Sequence, residues 1–471
     1  MKNRELMSKG NPYKTVLIFS IPSIIAMSVN AIYNVVDKIF VGNYVSDVAL
    51  GGLQVVNPIT FLSFGLMVLF GLGSSTYASN KLGEKKDEEA NKIFNNSIFL
   101  SAIATIVMAV LFYCFRKDLL VLAGATDKYY SYAEEYFSVI ICGFIFQSLA
   151  YFFMMHIRAE GRPTFAMITQ ITGAVVNIIL DYLFIVVFHM GVFGAALATV
   201  IGNASNMVIG LLYYTVSKMH FFHFNFKEMF KINWHYILQV ISIGASSYIL
   251  NICSGTATII YNKVLGKYDN ALSVLAILSS LDSIFVLPCV GIRQGLLPVM
   301  GYNYGERDNR RIFSIFKVGC IYGIAWGLFA FTIINIFPSF FINLFVDGSN
   351  AILVEEATSA CRVYFFGVIL ISLNMNASAL YQATREKTKA AILSAMRQCL
   401  YLIPLIFILD AIFKGSTGVW LATPISDTLS AISSLVFFII TYRYFKKTGY
   451  ISKRDQNEKL KEAKIDCGSN S

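Results

Sequence analysis

The feature that most constrains this chain is a succession of about twelve apolar stretches, each long enough to cross a bilayer, which takes about 20 helical residues. They lie near 15–39, 54–78, 93–114, 130–156, 164–188, 193–217, 236–264, 272–300, 312–336, 358–382, 389–413 and 416–445. A hydrocarbon core offers backbone groups no partners, so such stretches must be helices that satisfy their own N–H and C=O groups. Composition agrees, with 56% hydrophobic and 14% charged residues, where soluble domains carry roughly a quarter charged. A water-soluble enzyme is excluded, and the reading is an all-α polytopic membrane protein. The polar, basic segment 1–14 precedes a first apolar run with no short cleavable pattern, so that run is expected to stay as the first membrane helix.

The net charge of +10 is spread over short polar segments between the apolar ones, which reads as membrane orientation and not as nucleic-acid binding. If the N-terminus is cytoplasmic, 28 of the 38 Lys and Arg fall on the inside and eight on the outside, leaving Arg293 and Arg397 within helices. Basic residues concentrate on the cytoplasmic side of membrane proteins, so both termini are predicted to be cytoplasmic. The eight cysteines lie mostly singly in apolar runs without a CxxC pair, and read as buried thiols.

The chain also repeats itself. Gly83-Glu84 recurs as Gly305-Glu306, and Ser20-Ile21 as Ser242-Ile243, both at an offset of 222. Gly191-Val-Phe-Gly-Ala-Ala-Leu-Ala-Thr199 returns as Gly415-Ser-Thr-Gly-Val-Trp-Leu-Ala-Thr423 at an offset of 224. Six helices precede each return, so equivalent helices cross in the same direction and the repeat is parallel. The expected organisation is an N-terminal segment 1–14, an N-lobe 15–217, a cytoplasmic linker 218–235, a C-lobe 236–445 and a solvated tail 446–471. His220 and His223 in the linker have no acidic or thiol partner nearby, so an interfacial amphipathic segment is expected there and no metal site.

An ionisable side chain at bilayer depth is costly and marks a function by default. Asn30, Asn34 and Asp37 follow i, i+4, i+7 spacing on one helix face, and Pro22 permits a kink in that helix. Asn177 and Asp181 share a face of the fifth helix, and Thr199, Asn203 and Asn206 make a stripe on the sixth. At about 1.5 Å per residue, Asp37, Asp181, Thr199 and, on the fourth helix, Tyr136 all reach the outer-leaflet half of the N-lobe. Two carboxylates in one water-poor pocket cannot both ionise cheaply, so the pocket should take up H⁺ or Na⁺. Its oxygen ligands do not suit a transition metal. Interhelical hydrogen bonding is the alternative role for Asn177 and Thr199. In the C-lobe, Asp282 and Arg293 are three turns apart on one face and are candidates to flank a substrate cavity. Asp427 occupies the position equivalent to Asn203, while Arg397 is expected to snorkel from the inner end of its helix. No phosphate-binding loop, GxSxG or HExxH motif is present, so no cofactor is expected beyond a coupling ion, and a gradient must drive any transport.

The sequence resembles the multidrug and toxic compound extrusion (MATE) family, in its MepA-like bacterial branch, within the MOP flippase superfamily. The resemblance spans roughly 12–445. Its carriers are Asn34-Val-Val-Asp-Lys-Ile-Phe-Val-Gly42, Gly71-Leu-Gly73 through Gly83-Glu84, Arg158-Ala-Glu-Gly-Arg-Pro163, Asn177-Ile-Ile-Leu-Asp181, Gly194-Ala-Ala-Leu-Ala-Thr199, Gly295 and Gly301-Tyr-Asn-Tyr-Gly305. The resemblance implies two six-helix lobes forming a V around a central cavity, in a bacterial plasma membrane, with export of cationic amphipathic drugs or metabolites in exchange for H⁺ or Na⁺. It implies an N-lobe cation site of Asp37, Asn177, Asp181, Thr199 and Tyr136. Asn34, Asn203, Asp282, Arg293 and Asp427 are candidates for the substrate cavity. The expected partners are the small-molecule substrate and the lipid bilayer, with the protein a monomer. A flippase for lipid-linked intermediates, from the same superfamily, is the competing reading.

Overall fold

The computed structural model describes residues 2–123, 125, 127–216, 220–265, 267–268, 271–343, 351–451 and 456. Residues 457–471, most of the expected solvated tail, lie outside the described residues. Among the described residues, twelve helices are long and apolar enough to cross a membrane. The first six are α1 (Pro12–Tyr44), α2 (Asp47–Gly83), α3 (Asp87–Cys114), α4 (Asp127–Ala159), α5 (Pro163–Asp181, continued by a π-helical segment, Tyr182–Val187) and α6 (Gly191–Thr215). The second six are α7 (Trp234–Leu265), α8 (Ala271–Gly305), α9 (Asn309–Ile336), α10 (Ala351–Tyr364, a 3₁₀ turn and Val368–Ala383), α11 (Lys387–Ala395, a π segment Met396–Leu402 and Ile403–Phe413) and α12 (Ser416–Thr448).

Several helices outrun their apolar stretches because polar caps carry them past the apolar residues. Asn11 caps α1 by accepting the Tyr13 N–H with Pro12 at the first position, and Ser46 caps α2 by accepting from Ala49. α12 continues beyond the expected boundary at 445, because Phe445 packs on the Phe313 ring and the left-handed Gly449, at φ 75°, supplies the stop.

The repeat is written into the turns. α2, α4, α8 and α10 each end in a turn whose left-handed residue is Lys85, Gly161, Arg307 or Arg385. In each turn the next residue donates its N–H five positions back: Lys86 to Lys81, Arg162 to Ile157, Asp308 to Asn303 and Glu386 to Tyr381. This is the helix-ending geometry in which a left-handed residue lets the chain satisfy the last carbonyls. Lys85 and Arg307 stand at the offset of 222, and Gly161 and Arg385 at 224. All four turns lie on one face of the bundle, hereafter the linker face.

The connection between the halves is pinned to this face. Asn91, Asn95 and Asn96 of α3 bond the backbones of His223, Asn225, Glu228 and Asn233. Glu160 accepts the Phe221 and Phe222 N–H groups and the Tyr213 hydroxyl. Peripheral faces such as Ile103, Ile106, Val107 and Val110 on α3, and Ile432, Val436, Ile439 and Ile440 on α12, are exposed and apolar, as a lipid-facing surface requires. Between the halves, α1 packs on α8 and α2 on α7.

Candidate functional site

The site is built around the end of α5. Asp181 is fully buried and Asn177, one turn earlier on the same face, is 3% exposed. Regular α-helical geometry stops at Asp181, where the π segment Tyr182–Val187 begins. Such wide turns leave backbone groups displaced from the usual ladder and recur at functional sites. Among the described residues, neither Asp181 carboxylate oxygen has a hydrogen-bond partner, and neither does the Asn177 side-chain oxygen or nitrogen.

Asp37, 8% exposed on α1, lies close enough to Asp181 for the two carboxylates to interact electrostatically. The Tyr33 and Tyr136 phenols both face this pair, and Thr199 lies beside Tyr136. Four helices, α1, α4, α5 and α6, therefore converge here. Two like charges in one water-poor pocket repel each other, so both do not ionise cheaply. The arrangement can hold one proton between the acids, or a small cation among their oxygens.

A cavity of about 80 Å³ adjoins the acids, lined by Asn30, Tyr33, Asn177, Thr199, Asn203 and Asn206 among others. At roughly 15 Å³ per water it holds about five waters. Pockets for drug-sized ligands run to roughly 300–1,000 Å³, so in this conformation the cavity suits a hydrated ion and not an organic substrate. Its wall depends on close approach of α5 and α6: a Cβ on Gly173 would fall 2.2 Å from Asn206 Oδ1, which instead accepts the Gly173 N–H at 3.1 Å. Asn34 is exposed and does not line this cavity; its side-chain amide turns back onto Asn30.

The C-half differs. Arg397, expected to snorkel, is instead enclosed within the π segment of α11 and bonds Asp427 through Nε. The wide turn aims the guanidinium at α12, where a buried carboxylate rewards it more than a distant interface would. Tyr261 bonds Thr423 at 2.6 Å and the Val419 carbonyl at 3.0 Å, and Asp282 sits within electrostatic reach of Arg397 and Asp427. Asp282 and Arg293 share a helix but belong to separate clusters, since Arg293 bonds Ser247 and Gln382. Three helical turns span about 16 Å, so one face does not make one site.

A family model described as MatE matches residues 22–183 and 243–408. The chain belongs to the MatE family. The two matched stretches cover both halves, and so carry Asp37, Asp181 and Arg397 alike. The chain is 26% identical over 441 residues to the multidrug export protein MepA of Staphylococcus aureus (strain MRSA252), covering 93% of this chain and 96% of that protein. It is 24% identical over 439 residues to MepA of Staphylococcus saprophyticus, with the same coverage. Among solved structures, an outward-facing multidrug resistance MATE family transporter of the MOP superfamily superposes with a TM-score of 0.90 at 23% identity, covering 95% of this chain and 99% of that one. A MOP superfamily transporter from Pyrococcus furiosus, described as having reverse polarity of its binding pocket, gives the same values. These structures establish the MATE fold for this MatE-family chain: twelve transmembrane helices in two pseudo-symmetric halves.

Sequence reasoning missed three groups. Tyr33 lies one turn before Asp37, a spacing that could have flagged it. Arg158, one residue before the end of α4, is 2% exposed, a burial that its place at the edge of an apolar stretch does not signal. Arg385 bridges the halves through Asn80 and Glu84, 305 and 301 positions away, a pairing no local pattern encodes.

Proposed function

We propose that this MatE-family protein is a secondary exporter of cationic amphipathic compounds, driven by exchange for H⁺ or Na⁺ at Asp37 and Asp181. The observation that carries the reading is the fully buried Asp181, both of whose oxygens lack hydrogen-bond partners among the described residues, beside a second buried acid. A carboxylate in that setting is stable only when a proton or cation neutralises it. The multidrug export function named for the MepA relatives supports the class of substrate.

In this scheme the occupied acid pair draws α1 and α5 together, and release of the ion leaves mutual repulsion that loosens α1, whose Pro22 interrupts its ladder. Neutralisation and substrate cation compete, so binding one favours release of the other. One charge moving down the membrane potential yields about 2.3 kcal/mol per 100 mV, enough to concentrate a monovalent cation substantially. The linker face is closed, and we assign it to the cytoplasm on the distribution of Lys and Arg, with the protein acting as a monomer in a bacterial plasma membrane. The test is export of a fluorescent cation from vesicles under an imposed pH gradient and then a Na⁺ gradient. Stimulation by neither contradicts the proposal.

A further inference from the structure

Two arginines lie buried between the halves without an acid. Arg158, near the end of α4, is 2% exposed, and Arg293 of α8 is 8% exposed. Among the described residues neither forms a salt bridge. Arg158 donates through Nη1 to Gln294 Oε1 and rests its Nη2 on the Met154 sulfur at 3.6 Å. Arg293 donates through Nη2 to Ser247 Oγ at 2.9 Å and Gln382 Oε1 at 3.2 Å. Among the described residues, the Nε of each arginine has no hydrogen-bond partner. The Tyr151 phenol faces both guanidinium groups, so the two arginines share one neighbourhood.

A guanidinium stays protonated in proteins and carries five donors in a fork that matches a carboxylate or phosphate. Burying two of them with only neutral acceptors costs several kcal/mol per ion after relaxation. Ordinary cores avoid this; the chain's other deeply placed arginines, Arg385 and Arg397, each contact a carboxylate. The bond from Arg158 on α4 to Gln294 on α8 spans the two halves, so separating the halves at the linker face breaks it and frees a donor pair beside an already orphaned Nε.

We propose that Arg158 and Arg293 form a binding site for an anionic oxygen group, a carboxylate or a phosphate, on the molecule that is carried. The site opens when the halves part on the linker face. It rests on the transport reading above and extends its substrate class to compounds that bear an acid group as well as a cation. A lipid headgroup phosphate would satisfy the same donors.

The test measures binding to the purified full-length protein by fluorescence anisotropy, using rhodamine B and its ethyl ester, which differ by one carboxylate. Phosphatidic acid in nanodiscs serves as competitor. Arg158→Gln and Arg293→Gln should each lower the affinity ratio of acid to ester about tenfold or more, the scale of one charge-assisted hydrogen bond. Arg158→Lys, which keeps the charge, should recover part of the ratio. If the ratio is unchanged but competition by phosphatidic acid is lost, the ligand is the lipid phosphate. An unchanged ratio together with unchanged competition overturns the proposal, as does equal loss for acid and ester, which marks a structural role. The transport reading fails separately: gradient-driven export of the ester would be absent whatever the ratio does.

Discussion

Asp181 and Asp37 carry the account at the scale of single residues. Replacing either by Asn keeps the shape and removes the charge. Asp181→Asn is therefore expected to leave the fold intact and to abolish gradient-stimulated export, with thermal unfolding of the purified protein unchanged or shifted upward. An exporter that still responds fully to the gradient in both Asp variants would refute the assignment. Tyr33→Phe, which removes a phenol facing both acids, should weaken coupling by a smaller factor, about tenfold, the scale of one hydrogen bond to a charged group. The neighbourhood of these acids was legible in the sequence because i, i+4 spacing orients side chains within a helix, and helix rise gives depth. The Arg397 partner and the burial of Arg158 are not legible in sequence because both depend on what the neighbouring helix presents: Asp427 for one, Gln294 for the other. A single helix's pattern contains no such information.

Helices and turns are held together at two places on the linker face. The ends of α2 and α8 touch backbone to backbone: a Cβ on Gly83 would lie 1.9 Å from the Tyr302 carbonyl oxygen, and one on Gly305 1.9 Å from that of Asn80. Around this contact Asn80 donates to the Gly301 and Ala383 carbonyls, and Arg385 bonds both Asn80 and Glu84 while lying over the Tyr77 ring. Burial pushes the Glu84 carboxyl up, but Lys81, Arg385 and Lys86 together outweigh it and hold the group below its ordinary value, so the latch is charged at neutral pH. Gly305→Ala should prevent closure of this face, lowering stability by about 1–3 kcal/mol, the cost of overpacking, and reducing export at least as severely as loss of a gate. Unaltered unfolding and transport would show that the contact is dispensable.

The second place is Glu160, whose carboxyl burial raises from 4.5 to about 7 despite the Phe222, Tyr213 and Phe221 donors. A raised carboxyl pKa means that the folded protein binds more protons than the unfolded one between those values. Its contribution is thus fully present below 4.5 and is lost as pH rises through about 7. Hydrogen exchange at Phe221 and Phe222, corrected for intrinsic rate, should show protection falling from about pH 4.5 to about pH 7 and levelling off above. Glu160→Gln should flatten that profile, and a profile insensitive to the substitution would remove Glu160 from this role. The repeated turns were visible in sequence as Gly-Glu pairs, but the latch was not, since it joins segments some 300 positions apart.

The whole molecule divides its labour between halves that share a fold and differ in charge. The N-half keeps two acids with no basic partner bonded to Asp181 among the described residues, whereas the C-half carries its own fixed cation, Arg397, against Asp427. An exchangeable ion is expected on one side only, which a repeat read from sequence suggests through the loss of acidic equivalents at 259–261 and at Leu405. The twelve spans and the parallel repeat were legible because hydropathy and turn chemistry are local; the closed linker face and the buried arginines emerge only when the halves meet. Sidedness is open to direct measurement: in a background with the native cysteines, including the exposed Cys114 and Cys142, replaced by serine, a cysteine at Glu88, on the linker face, should resist a membrane-impermeant maleimide in whole cells, while one at Lys117, on the opposite face, should react. The reverse pattern would invert the assigned topology. The most direct test of the central claim is export of a fluorescent cation from proteoliposomes under imposed pH and Na⁺ gradients, comparing the wild-type protein with Asp181→Asn. The expected result is gradient-stimulated export by the wild type that the substitution abolishes; stimulation of equal size in both would contradict the account.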